Sequence, residues 1–131
     1  MATNLSSQEV HKLANNFFAL TVSMTDFLLE KWDDLTPEER NKLNRNIRKT
    51  SSDGQKMLAQ AATLVVEESK ESLTKIENTT NEIKAILGTI ANIQKGINIA
   101  ASVITLSAAI LSKSPEAIIA AAKGLQDTVN A

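Results

Sequence analysis

The chain of 131 residues contains no cysteine. Disulfides and thiolate metal sites are excluded, so the fold must stand on packing and polar contacts. Tyrosine is absent too, and one Trp and three Phe are the only aromatics. The expected interior is interdigitated Leu, Ile, Val and Ala rather than an aromatic core. Four Gly and two Pro leave few places to turn sharply, which favours long helices over hairpins and sheets. Charge of a dominant sign is also missing, since 14 Lys+Arg oppose 15 Asp+Glu for a net charge of -1. No global field draws such a chain to nucleic acid or to anionic lipid. The start, MATNLSSQEVHKL, lacks the basic and apolar regions of a secretory signal, and Ala2 stands where myristoylation needs glycine. A cytoplasmic location is the expectation from these absences.

What is present is helical. Ser6-Ser7-Gln8-Glu9 is a capping box, and Val10, Ala14, Phe17, Thr21, Met24, Leu28 and Trp32 follow at helical spacing. Thr36-Pro37-Glu38-Glu39 is a second box, with proline at the first helical position. Its stripe runs through Leu43, Ile47, Gly54, Met57 and Ala61 to Val65 without resetting at Ser52-Asp53-Gly54, so continuity is expected there. Asn78-Thr79-Thr80-Asn81 combines weak helix formers with a third box, Thr79 to Glu82, and predicts a turn. Ser114-Pro115-Glu116 starts the last helix. The expected helices are about 6–33, 37–78, 80–113 and 115–129, within one domain spanning 1–131. No segment alternates with period two, so no sheet is predicted. The expected fold is all-α: an elongated, coiled-coil-like antiparallel bundle of up-down topology. It has four helices, or five if a break lies hidden in one of them.

The longest uncharged run lies between Lys95 and Lys113. Its length of about 26 Å as helix is marginal for a membrane span. Gln94, Lys95, Asn98, Ser102, Thr105, Ser112 and Lys113 fall within roughly 100° on a helical wheel, with Ile93, Ile97, Ile104 and Leu111 set opposite. A polar stripe suits a helix enclosed by neighbours better than a lone span in lipid. On this wheel Ile104→Asp is expected to damage the bundle severely and Ser102→Asp to be tolerated.

Chemistry is addressed mainly by exclusion. His11 is the one histidine, and no Glu-x-x-His pair exists to build a di-metal carboxylate site. The acids Glu67, Glu68 and Glu71 sit beside Lys70 and Lys75 and read as a salt-bridged surface. Each glycine stands alone inside a helical pattern, unlike the glycine-rich loops that cradle phosphate. No catalytic, cofactor or metal residue is assigned, no small-molecule substrate is inferred, and an enzyme is not expected. The most one-sided feature is basic: Arg40, Lys42, Arg45, Arg48, Lys49 and Lys56. Arg45, Arg48 and Lys49 form a candidate anion-contacting face. With no aromatics interleaved, nucleic acid is not favoured, and Asp26, Glu30, Asp33 and Asp34 of the first helix are available as ion-pair partners.

The resulting expectation is a non-enzymatic interaction or assembly module that self-associates as a dimer. Its candidate apolar surface comprises Ile93, Ile97, Ile104, Leu111, Ile118 and Leu125. The alternative is a membrane-active protein that inserts an apolar hairpin over about 96–125. Alpha-helical pore-forming proteins use such a device, although no motif assigns this chain to them.

Overall fold

Both capping boxes form as the residue types require. The Ser6 hydroxyl accepts from the Glu9 amide at 3.1 Å, and the Glu9 carboxylate accepts from the Ser6 amide at 2.9 Å. Thr36 and Glu39 repeat the pair at 3.1 and 2.9 Å. The computed structural model describes residues 2–4, 6–60, 65–67, 70–90 and 92–131. The first box starts α1 (Ser7–Glu30) and the second starts α2 (Pro37–Ala59), with a 3-10 turn over Trp32–Asp34 between them. Further along come α3 (Lys70–Thr89), α4 (Ile93–Ser112) and α5 (Pro115–Asn130). The fold is therefore an all-α bundle, with five helices among the described residues.

The helix limits differ from expectation in three places. The expected helix over 37–78 passes unbroken through Ser52-Asp53-Gly54 but stops at Ala59. Beyond it, Val65–Glu67 (β2) pairs antiparallel with Ala2–Asn4 (β1). The two adjacent β-branched valines of β2 are suited to a pleated edge. The expected absence of a sheet thus holds for the body of the fold and is corrected at this three-residue ladder.

The turn expected at Asn78–Asn81 is instead the interior of α3. Thr79 and Thr80 are buried there, and the Thr80 hydroxyl donates to the Ile76 carbonyl at 2.8 Å. A hydroxyl that bonds back to its own helix removes the penalty of burial, so packing overrides weak propensity. The third box at Thr79 is accordingly not one. The real break falls inside the expected helix over 80–113. There α3 ends at Thr89, and Asn92 caps α4 by accepting from the Lys95 amide at 3.1 Å. Ile86, Ile90 and Ile93 keep helical spacing across the break, so periodicity did not reveal it.

The helices close a ring. α1 packs beside α2 and α3, α2 beside α4, α4 beside α5, and α5 beside α3. β1 and β2 pair at one end, so α1 and α3 leave that end together, as the Lys12–Glu77 ion pair at 3.1 Å reflects. α2 and α4 run back, and α5 returns along α4. Ser102 meets Thr128 at 3.1 Å, while the Lys95 ammonium donates to the Ala131 carbonyl at 2.8 Å. Phe17, Leu20, Met24 and Phe27 of α1, Leu43 and Met57 of α2, Ile83 of α3, and Ile99, Leu106 and Ile110 of α4 are fully buried. Aliphatic side chains dominate, and Phe17 and Phe27 join them at the centre on the apolar face of α1.

Candidate functional site

α4 was expected to face inward with Ile93, Ile97, Ile104 and Leu111. Its polar stripe lies where the wheel puts it, with Gln94, Asn98, Thr105 and Ser112 exposed. The buried row is Ile99, Val103, Leu106 and Ile110, while Ile93, Ile104 and Leu111 are only half-buried. The inward direction is rotated by roughly a quarter turn from the expected one. The cause is lateral contact: α5 covers the side bearing Ser102 and α2 the side bearing Ser107. The role assigned to Ile104 belongs to Val103.

The candidate apolar surface is corrected by the same geometry. Ile97, Ile118 and Leu125 are 4%, 1% and 2% exposed and belong to the core. They cannot meet a partner while the bundle is closed. Among the described residues, the large apolar side chains that stand in solvent are Val22 at 60%, Leu29 at 63%, Trp32 at 45% and Ile119 at 48%. Val22 and Leu29 are seven residues apart on α1, so they project from one side of it. Trp32 caps that line at the following turn. Arg40 lies 4.6 Å above its ring and donates from Nε to its carbonyl at 2.8 Å. This pair fixes the tryptophan at the surface.

The candidate anion-contacting residues Arg45, Arg48 and Lys49 are all exposed. The Lys49 ammonium is engaged, donating to Asp53 at 2.8 Å. Asp53 is fully buried, and its second oxygen accepts from the Ser107 hydroxyl of α4 at 2.7 Å. The sequence pattern did not single out this carboxylate. Asp53 precedes Gly54 on the inward stripe, and a charged residue in that position was the available signal. Ser107 is itself fully buried, so no substrate could reach the Asp53–Ser107 pair. Its effect is to clamp α2 to α4.

Among the described residues, the ion pairs available between the two outward faces do not form. Among the described residues, the salt bridges are Lys12–Glu77 and Lys49–Asp53. Asp26, Glu30, Asp33, Asp34, Arg45 and Arg48 are exposed and take no part in either. His11 is exposed, with Nδ1 2.8 Å from the Ser7 carbonyl. Among the described residues, no group of three His, Asp or Glu side chains is placed to hold a metal ion. The acids Glu67, Glu68 and Glu71 lie outside the described side chains. The open grooves along α4 and α5 are lined mainly by Ala, Ser and Thr, with Lys95 and Asp127 at one end. No protein-family model, no curated protein and no solved structure matches the chain.

Proposed function

We propose that the chain is a non-enzymatic helical interaction module that associates with a second copy of itself. The observation that carries this reading is the exposure of Val22 and Leu29 on one side of α1 and of Trp32 in the turn that follows it. Apolar side chains aligned on one helix edge lower their free energy when a partner removes them from water. Light scattering over a concentration series tests the reading. Association predicts a mass rising from 14.2 kDa toward twice that value, whereas a constant monomer mass overturns it.

A second reading is favoured by one specific observation: α4 is long and apolar enough to cross a membrane. Half of its most apolar window is buried in the bundle, as expected of a core helix, so insertion would require the bundle to open. Vesicle flotation and dye release test this reading. Absence of both, with neutral and anionic vesicles at neutral and acid pH, retires it.

A further inference from the structure

The outer side of the α1–α2 pair carries two short arcs of side chains. At about 100° per residue, Val22, Asp26 and Leu29 fall within about 60° of one another on α1. By the same measure Asn41, Arg45, Arg48 and Ser52 fall within about 60° on α2. The α1 arc lies between Phe18, which meets α2, and Lys12, which meets α3, on the side of the helix opposite its buried residues. The α2 arc points away from Gly54, which meets Phe18, and from Asp53, which meets α4.

The heights of these arcs can be compared. Phe18 lies against Gly54, and the two helices are antiparallel, so the position numbers of level residues sum to about 72. Asp26 is thus level with position 46 of α2, between Arg45 and Arg48, and Glu30 is level with Lys42. Asp26, Arg45 and Arg48 match in height and lie on the outer side of their helices, and among the described residues they form no ion pair.

We propose that this face binds a second copy about a two-fold axis parallel to the bundle. This rests on the self-association proposed above and adds where the contact lies and what sets its register. Such an axis preserves height and places α1 opposite the partner's α2. Asp26 then meets the partner's Arg45 and Arg48, and the symmetry makes the same contacts a second time. Val22 and Leu29 cover the aliphatic stems of those arginines. A two-fold axis perpendicular to the helices instead sets α1 against α1 and leaves the arginines opposite one another. Over the full length of the two helices, the outer side of the α1–α2 pair is about 36 Å long and about 20 Å wide, at most about 700 Å² per protomer. That is close to the ~800 Å² per partner of an ordinary stable interface. An anionic membrane would attract Arg45 and Arg48 but repel Asp26, Glu30, Asp33 and Asp34 at the same end. The mixed sign selects a copy of the chain over a lipid surface.

The test uses two charge-reversed variants of the full chain, Asp26→Lys with Glu30→Lys, and Arg45→Glu with Arg48→Glu. All four positions are exposed, and circular dichroism checks that each variant folds. Each variant alone is expected to dimerise at least about tenfold more weakly than the parent chain. An equimolar mixture should restore the dimer, because the basic α1 of one variant then faces the acidic α2 of the other, and across the axis the acidic α1 of the second faces the basic α2 of the first. Analytical ultracentrifugation reads both results. A parent dimer that neither variant weakens places the interface elsewhere and overturns this proposal while leaving self-association intact. A parent chain that stays monomeric overturns both. Weakened variants that fail to restore one another overturn the two-fold arrangement, and flotation of the monomer with anionic vesicles through Arg45 and Arg48 reassigns the face to lipid.

Discussion

At the scale of single residues, stability turns on a few close approaches that composition does not reveal. A Cβ at Gly96 would stand 2.3 Å from the ring of Phe27, which is 1% exposed and has nowhere to move. Gly96→Ala is therefore expected to cost about 1–2 kcal/mol, overpacking exceeding the ~1 kcal/mol that alanine gains in a helix. Gly124 meets nothing within 4 Å, so Gly124→Ala is expected to stabilise by about 0.5–1 kcal/mol. Urea unfolding of the two variants should move the midpoint in opposite directions. The clamp at Asp53 gives a second contrast. Ser107→Ala leaves a buried carboxylate oxygen without its donor, a loss of about 1.5–3 kcal/mol. Asp53→Ala leaves the Ser107 hydroxyl its alternative acceptor, the Ile104 carbonyl at 3.0 Å. Denaturant titration should therefore find Ser107→Ala costly although it removes a single oxygen. If it proves neutral, the clamp contributes nothing.

At the scale of elements, side-chain chemistry that acts locally was legible and tertiary compensation was not. Ser6–Glu9 and Thr36–Glu39 could be read because a capping box satisfies orphan amides with residues three apart in sequence. The polar stripe of α4 was legible for the same reason, since one period places it. Its buried centre was not, because lateral contacts from α2 and α5 decide which flank is covered. Thr79 and Thr80 misled because a buried threonine can donate to its own helix. The break before Asn92 escaped because its flanking isoleucines keep phase across it. The outward charges of α1 and α2 were visible as runs, but their common height needed the Phe18–Gly54 contact.

The link from α4 to α5 allows a prediction at the same scale. Lys113 adopts φ 63 and ψ 21, a left-handed conformation suited to glycine. Lys113→Gly should relieve about 1 kcal/mol of backbone strain. In a chain of this length that corresponds to a melting temperature raised by about 3 °C. Calorimetry showing a lower melting temperature would mean that the lysine side chain contributes more than its backbone costs.

At the scale of the whole molecule, the closed ring leaves little core for a partner to complete. Every helix has two neighbours, and most of the apolar surface is already covered. Self-association through the α1–α2 face would therefore join folded protomers without changing their interior. It should then couple to stability by mass action alone. A tenfold rise in concentration stabilises a dimer by about 1.4 kcal/mol, or about 0.7 kcal/mol per protomer. The unfolding entropy of 131 residues, at about 2.1 cal/mol/K each, is about 0.28 kcal/mol/K. The melting temperature should therefore rise by about 2–3 °C for each tenfold increase in concentration once the dimer is populated. The variant Arg45→Glu with Arg48→Glu should melt at the same temperature throughout the range where the parent chain shifts. Added salt should flatten the parent's dependence, because charges at an exposed rim are screened beyond about 8–10 Å. A slope that survives both the reversal and the salt would tie association to apolar contact elsewhere on the ring, where Ile119 of α5 is, among the described residues, a further large exposed apolar side chain.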